Sequence, residues 1–245
     1  MKVLSALAIS AVLLQHSIPP PNPAAQGVHR AVRLNTTVHV LETSAGSAFS
    51  DLVAVGLQNH LPIGIVVGEG PDSDICRVPL NFTQETMTVA DLIAVIEAGM
   101  PGYRAEIQNG VLDIAPKQLP DNTARFLEMR LARFQAAPQT QTVMGFTLWG
   151  SIDGILAPRA GRDLNILLSM SAETVPGMDV SNASVKSILN KIVDEGNGGV
   201  WVLRTSQLKT LSAETRMPYD IDGYVGEDLD LANRQILPCA EPETH

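Results

Sequence analysis

The stretch Val78–Pro116, VPLNFTQETMTVADLIAVIEAGMPGYRAEIQNGVLDIAP, decides the fold. Val78–Phe82 has the composition of a short strand. Thr88 then opens a helix. Its hydroxyl can accept a free backbone N–H, and Asp91, three residues on, can reach back, which makes a capping box. Val89, Leu92, Ile93 and Ile96 fall at i, i+3, i+4 and i+7 and give the helix one apolar stripe. Gly99, Pro101 and Gly102 end it. Tyr103–Gln108 and Val111–Ala115 flank Asn109-Gly110, two residues that tolerate the positive φ of a tight hairpin turn. The stretch predicts strand, helix and hairpin, and no residue in it is poised for chemistry.

Upstream, Val28–Leu41 has a β-rich pattern, clearest at Thr37–Leu41. A helix over Ala48–His60 places Phe49, Leu52, Val53 and Leu57 on one side. Pro62 stops it and opens a short apolar strand, Pro62–Val67. Gly68–Asp74 is a loop rich in Gly, Pro and Asp. Residues 37–117 therefore form a first module. Residues 118–140 are a linker carrying a second amphipathic helix, Asn122–Gln135. Leu127, Leu131 and Phe134 line one side of that helix. Arg125, Arg130 and Arg133 line much of the rest, as a solvated face.

The second half repeats the first. Ser184 precedes Val185, Ile188, Leu189 and Ile192, and each of these four stands 96 residues after Val89, Leu92, Ile93 and Ile96. Phe146 and Trp149, in a helix of about Thr142–Ala157, stand 97 residues after Phe49 and Leu52. Val175-Pro176 answers Val78-Pro79, Leu164–Leu168 answers Ile63–Val67, and Val200–Leu203 answers Tyr103–Ile107. A fixed offset with matched element order is the mark of a repeat. Residues 141–204 are thus a second module, and 205–245 a mostly irregular acidic tail. The predicted fold class is α+β: two small tandem modules, each with two helices packed on short mixed sheets.

At 245 residues with a net charge of −9, the chain suits one large or two small domains. The acidic balance argues against nucleic acid or an anionic membrane as its main partner. Lys2 followed by the apolar run Val3–Leu14, then the Pro-rich run Pro19–Pro23, reads as a signal peptide over residues 1–25, too short to span a bilayer. No later run reaches the length of a membrane span, so stable membrane insertion of the mature chain is not expected, and the expected location is periplasmic or secreted. Cys76 and Cys239 are the two cysteines. In an oxidising compartment they are disulfide candidates, with two unrelated thiols as the alternative.

The first module resembles the short amino-terminal domain of secretins and TonB-dependent receptors, often called STN. The resemblance runs through Phe49-Ser-Asp-Leu52, Leu61–Val67, Val78–Ile93 and Tyr103–Ile114. The second module resembles a divergent copy. The resemblance implies small αβ modules in the periplasm that bind other proteins, and it brings no catalytic residues with it.

Chemistry-bearing motifs are few. His16, His29, His39, His60 and His245 contain no pair at the helical spacing of a zinc site, and no metal or cofactor is expected. Gly68-Glu69-Gly70 lacks the third glycine of a dinucleotide fingerprint. Asp220, Asp222 and Gly223 fit positions of a calcium loop whose first and last positions would be Pro218 and Leu229, neither an oxygen ligand. The expected function is a non-catalytic periplasmic adaptor that binds an envelope protein partner through exposed sheet edges, at Pro62–Val67, Val78–Phe82 or Val200–Leu203. A small-ligand or envelope-polymer binding protein with a cleft between modules is the alternative, and a hydrolase with dispersed residues a third.

Overall fold

A computed structural model describes residues 32–40, 47–68, 73–156, 174–205 and 219–224. The fold is α+β. The first half contains β1 (Thr37–His39), α1 (Ala48–Gln58), β2 (Pro62–Val67), α2 (Asp74–Arg77), β3 (Thr86–Thr88), α3 (Val89–Gly99), β4 (Tyr103–Gln108) and β5 (Val111–Pro116). The second contains α4 (Asp121–Glu128), β6 (Arg130–Ala136), β7 (Gln139–Thr140), α5 (Gln141–Leu156), β8 (Thr174–Val175), β9 (Met178–Ser184), α6 (Val185–Glu195), β10 (Gly199–Thr205) and β11 (Tyr219–Tyr224).

The local signals act as expected. Thr88 Oγ1 accepts from the Asp91 N–H at 3.2 Å, and the Asp91 carboxylate accepts from the Thr88 N–H at 3.2 Å. Each of these bonds satisfies a donor that the helix start leaves orphaned. Val89, Leu92 and Ile96 are fully buried. Asn109 and Gly110 both have positive φ, and β4 and β5 pair tightly from Gln108↔Val111 onward. Ser184 caps α6 through the Ser187 N–H, and Val185, Ile188, Leu189 and Ile192 are all buried.

Four expectations need correction. Val78–Phe82 is not a strand. Pro79 has no N–H to give a ladder, and its neighbours' backbone groups are taken by α1. The Val78 carbonyl accepts from the Ala48 N–H at 2.7 Å, and the Leu80 N–H donates to the buried Asp51 carboxylate at 3.0 Å. The strand before α3 is instead β3, paired with β1. The helix expected over Asn122–Gln135 stops at Glu128, and Arg130–Ala136 is a strand paired antiparallel with β9. Opposite its middle, Asn182 takes φ +50°, and the register lacks a bridge between Leu131↔Ala183 and Arg133↔Ser181. Leu131 and Phe134, on either side of this unbridged pair, are both buried in the core, so a strand shows helical spacing. Within the tail, Tyr219–Tyr224 is an ordered strand against β10 rather than irregular chain. Phe146, expected to match the fully buried Phe49, is 49% exposed. Leu164–Leu168 lies outside the described residues.

The two halves share one sheet. Its order is β11-β10-β2-β5-β4, with β10 parallel to β2 and β2 parallel to β5. All six residues of β2 are buried, because the sheet is covered on both faces. Ile63, Ile65, Leu112, Ile114, Val200 and Val202 join the core built on α1 and α3. Val66, Val111, Trp201 and Leu203 join a second core built on α4, α5 and α6. Alternation along each strand thus feeds two cores from one sheet. Close approach at the seam depends on Gly198. It has φ +94°, and an added Cβ would collide with the His60 backbone.

Candidate functional site

The three expected docking edges are not available. Pro62–Val67 lies between β10 and β5, and Val200–Leu203 lies between β11 and β2. Val78–Phe82 carries no ladder at all. A strand paired on both sides has no spare backbone groups to offer. The cleft expected between modules is occupied by the shared sheet and by the packed side chains of Trp201, Leu203, Leu189 and Val193.

Among the described residues, the five-stranded sheet ends on β4 at one side and β11 at the other. The hydrogen-bond phase of β4 is fixed at both ends. The Asn109-Gly110 turn makes Gln108↔Val111 a bonded pair, and the Lys117 N–H donates to the Gly102 carbonyl at 2.8 Å. Antiparallel pairs alternate between bonded and non-bonded. Arg104, Glu106 and Gln108 therefore point their amides toward β5. Ala105 and Ile107 point their N–H and C=O groups outward, away from the sheet. Tyr103 is anchored below: its phenol oxygen accepts from the Gly68 N–H at 2.8 Å and lies 2.6 Å from Ser73 Oγ. Burial holds this phenol above its ordinary pKa, against the opposing bonds from Ser73 and Gly68, so it is not poised as a base.

Behind β4 and β5 runs a buried polar seam. In register across the sheet stand Trp201, Gly64, Asp113 and Glu106, and α6 lies over this row. Trp201 Nε1 donates to Asn190 Oδ1 at 2.6 Å, and Asn190 Nδ2 approaches Asp113 Oδ2 at 3.4 Å. Lys186 Nζ sits 3.1 Å from Asp113 Oδ2 and donates to Gln108 Oε1 at 2.8 Å. Gln108 Nε2 then donates to Glu106 Oε1 at 2.6 Å. The seam ties the second half to the edge hairpin. The sequence offered no signal for it, because Asp113, Lys186, Asn190 and Trp201 come from separate elements with no common spacing.

Asp113 Oδ1 is buried and has no hydrogen-bond partner among the described residues. Burial raises the Asp113 pKa above the ordinary carboxylate range, and the Lys186 ammonium opposes that rise without cancelling it. The folded protein consequently binds this proton more tightly than the unfolded chain. The stability contributed by protonation is fully present below the ordinary carboxylate pKa and is lost as pH rises through the raised value. Asp113→Asn keeps an oxygen that accepts from Lys186 and Asn190 but leaves the largely buried Lys186 ammonium without its counter-charge, so at pH 7 it is expected to cost up to about 3 kcal/mol. Wild type should then pull further ahead of the variant as pH falls through the acid range. Urea denaturation at a series of pH values checks this, and parallel curves for the two proteins would remove Asp113 as the cause.

The remaining sequence candidates do not converge. His39 is exposed on β1, where the Asn59 side chain brackets its backbone; its amide donates to Asn59 Oδ1 at 2.7 Å. His60 lies just past α1, two residues after its last helical residue, with φ +50°. Among the described residues, no three His, Cys, Asp or Glu side chains could hold a metal ion, and no helix is long and apolar enough to cross a membrane. Arg133 forms a two-pronged pair with Asp179 on the outside of the β6–β9 ribbon, with bonds of 2.9 and 2.6 Å. Cys76 sits on α2 against the first core and is disulfide-bonded. Cys239, His16, His29 and His245 lie outside the described residues. Comparison with family models, with curated proteins and with solved structures gave no match.

Proposed function

We propose that this protein is a non-catalytic periplasmic adaptor that docks an extended segment of an envelope protein as an added strand on β4. The observation that carries the reading is the pair of outward amides at Ala105 and Ile107, on a six-residue strand bonded on one side only among the described residues. Unpaired N–H and C=O groups on a sheet edge are a template for another strand. The apolar amino-terminal run supports export, and the resemblance of residues 37–117 to a protein-binding periplasmic domain supports the class of partner.

The register supplies a selective test. Proline at Ala105 or Ile107 removes an outward donor and leaves the bonds to β5 in place. Proline at Glu106 removes an inward donor and breaks the hairpin. Crosslinking in the native envelope should capture a partner with wild type. Ala105→Pro and Ile107→Pro, once shown folded by circular dichroism, should reduce capture about tenfold, the worth of one lost hydrogen bond. No capture by wild type, or undiminished capture by both folded variants, would rule out docking on β4.

A further inference from the structure

We propose that β4 also pairs with itself, joining two copies of this chain across a two-fold axis into one continuous sheet. An added antiparallel strand must set outward residues opposite outward residues, whose backbone groups point away from β5; of these, Ala105 and Ile107 offer their amides, while the Tyr103 N–H already donates to the Met100 carbonyl at 2.9 Å. For two copies of β4, one register places Ala105 opposite the partner's Ala105. Ile107 then lies opposite the partner's Tyr103 on the α3 side of the sheet. On the other side, Arg104 falls opposite the partner's Glu106, and Glu106 falls opposite the partner's Arg104.

Both charged side chains are accessible: Arg104 is 50% exposed and Glu106 44%, its Oε1 already accepting from Gln108 Nε2 at 2.6 Å. Their contact within one chain is only 4.0 Å, a weak pair in solvent. Opposite charges directly across a ladder are favourable, and like charges there are unfavourable. Sliding the pairing two residues one way sets Arg104 against the partner's Arg104. Sliding it two residues the other way sets Glu106 against the partner's Glu106. A slip by one residue sets bonded amides against free ones. The strand is therefore complementary to itself in one register and repelled from itself in the two neighbouring ones, which is how register is specified on an edge. The dyad repeats each favourable pair, as an isologous interface requires.

Sedimentation equilibrium on the purified mature chain tests this. Wild type is expected to dimerise. Arg104→Glu and Glu106→Arg, each of which sets two like-charge pairs across the axis, should weaken the dimer about tenfold or more. The double variant Arg104→Glu/Glu106→Arg restores opposite charges and should recover the dimer to within about threefold of wild type. Ile107→Pro, in protein shown folded by circular dichroism, should lose it. The proposal is overturned if wild type stays monomeric up to about 100 μM. It is also overturned if single reversals leave the dimer intact, or if the double variant fails to recover. The inference shares only the free edge with the adaptor reading. A monomeric Arg104→Glu protein that captured no envelope partner would count against the adaptor and leave the dimer untouched.

Discussion

Gly64→Ala is expected to cost roughly 2–4 kcal/mol, from overpacking in a filled core together with the loss of a buried hydrogen bond. Gly64 stands opposite Trp201 in the parallel ladder between β2 and β10. The indole lies over the glycine. An added Cβ would fall inside contact distance of ring carbons Cε2 and Cζ2 and 2.7 Å from Nε1. Trp201 is 3% exposed and donates to Asn190, so the ring cannot turn aside without breaking that bond under α6. The damage is therefore to the joint between the halves, and not to β2 alone. Guanidinium denaturation measures the cost. Shortening the indole, as in Gly64→Ala/Trp201→Leu, should make the two changes less than additive, because the second removes the obstacle the first created. Gly150→Ala is the control. It lies in α5 with nothing within 4 Å of an added Cβ, and should gain up to about 1 kcal/mol from helix propensity. A Gly64→Ala protein within about 0.5 kcal/mol of wild type would mean that the indole does not depend on the missing side chain.

The second large effect belongs to Cys76. The chain has two cysteines, and Cys76 is disulfide-bonded on α2, the short helix that packs against α1. Titration of the denatured, unreduced protein is expected to find no free thiol. Reduction, or Cys76→Ser, should lower stability by as much as about 4–5 kcal/mol, since a long closed loop restricts the unfolded chain most. Denaturation with and without reductant gives the difference. Two reactive thiols per chain before reduction would contradict the pairing of Cys76 with Cys239.

The variants above separate two kinds of dependence. Gly64 and Trp201 hold the halves together, whereas Ala105 and Ile107 turn only their backbone groups outward, with the Ala105 side chain in the first core, and Arg104 and Glu106 are about half exposed on the α6 side of the same strand. Loss of partner capture or of dimer in the second group, without loss of stability, would locate function on the edge.

Local chemistry settled much of this protein before any tertiary contact was considered. The Thr88–Asp91 box, the four-residue apolar stripe of α3, its counterpart in α6 and the Asn109-Gly110 turn depend on neighbours a few residues apart. Each is an interaction whose partners the chain itself brings close. The outward phase of Ala105 and Ile107 follows from that turn, so even part of the candidate site was legible once β4 was known to be an edge.

Tertiary structure decided the rest. Sheet order is a matter of which distant strands meet, and β10 could pair with β2 only after the chain had passed through both halves. That pairing buried two of the expected edges and left β4 as one end of the sheet. Leu131 and Phe134 are both buried in a strand whose ladder lacks one bridge opposite Asn182 at φ +50°, a feature of the facing strand and not of the strand being read. The polar seam joins residues that share no spacing. Its burial raises the pKa of Asp113, and burial is a property of the finished sheet and of α6 lying over it.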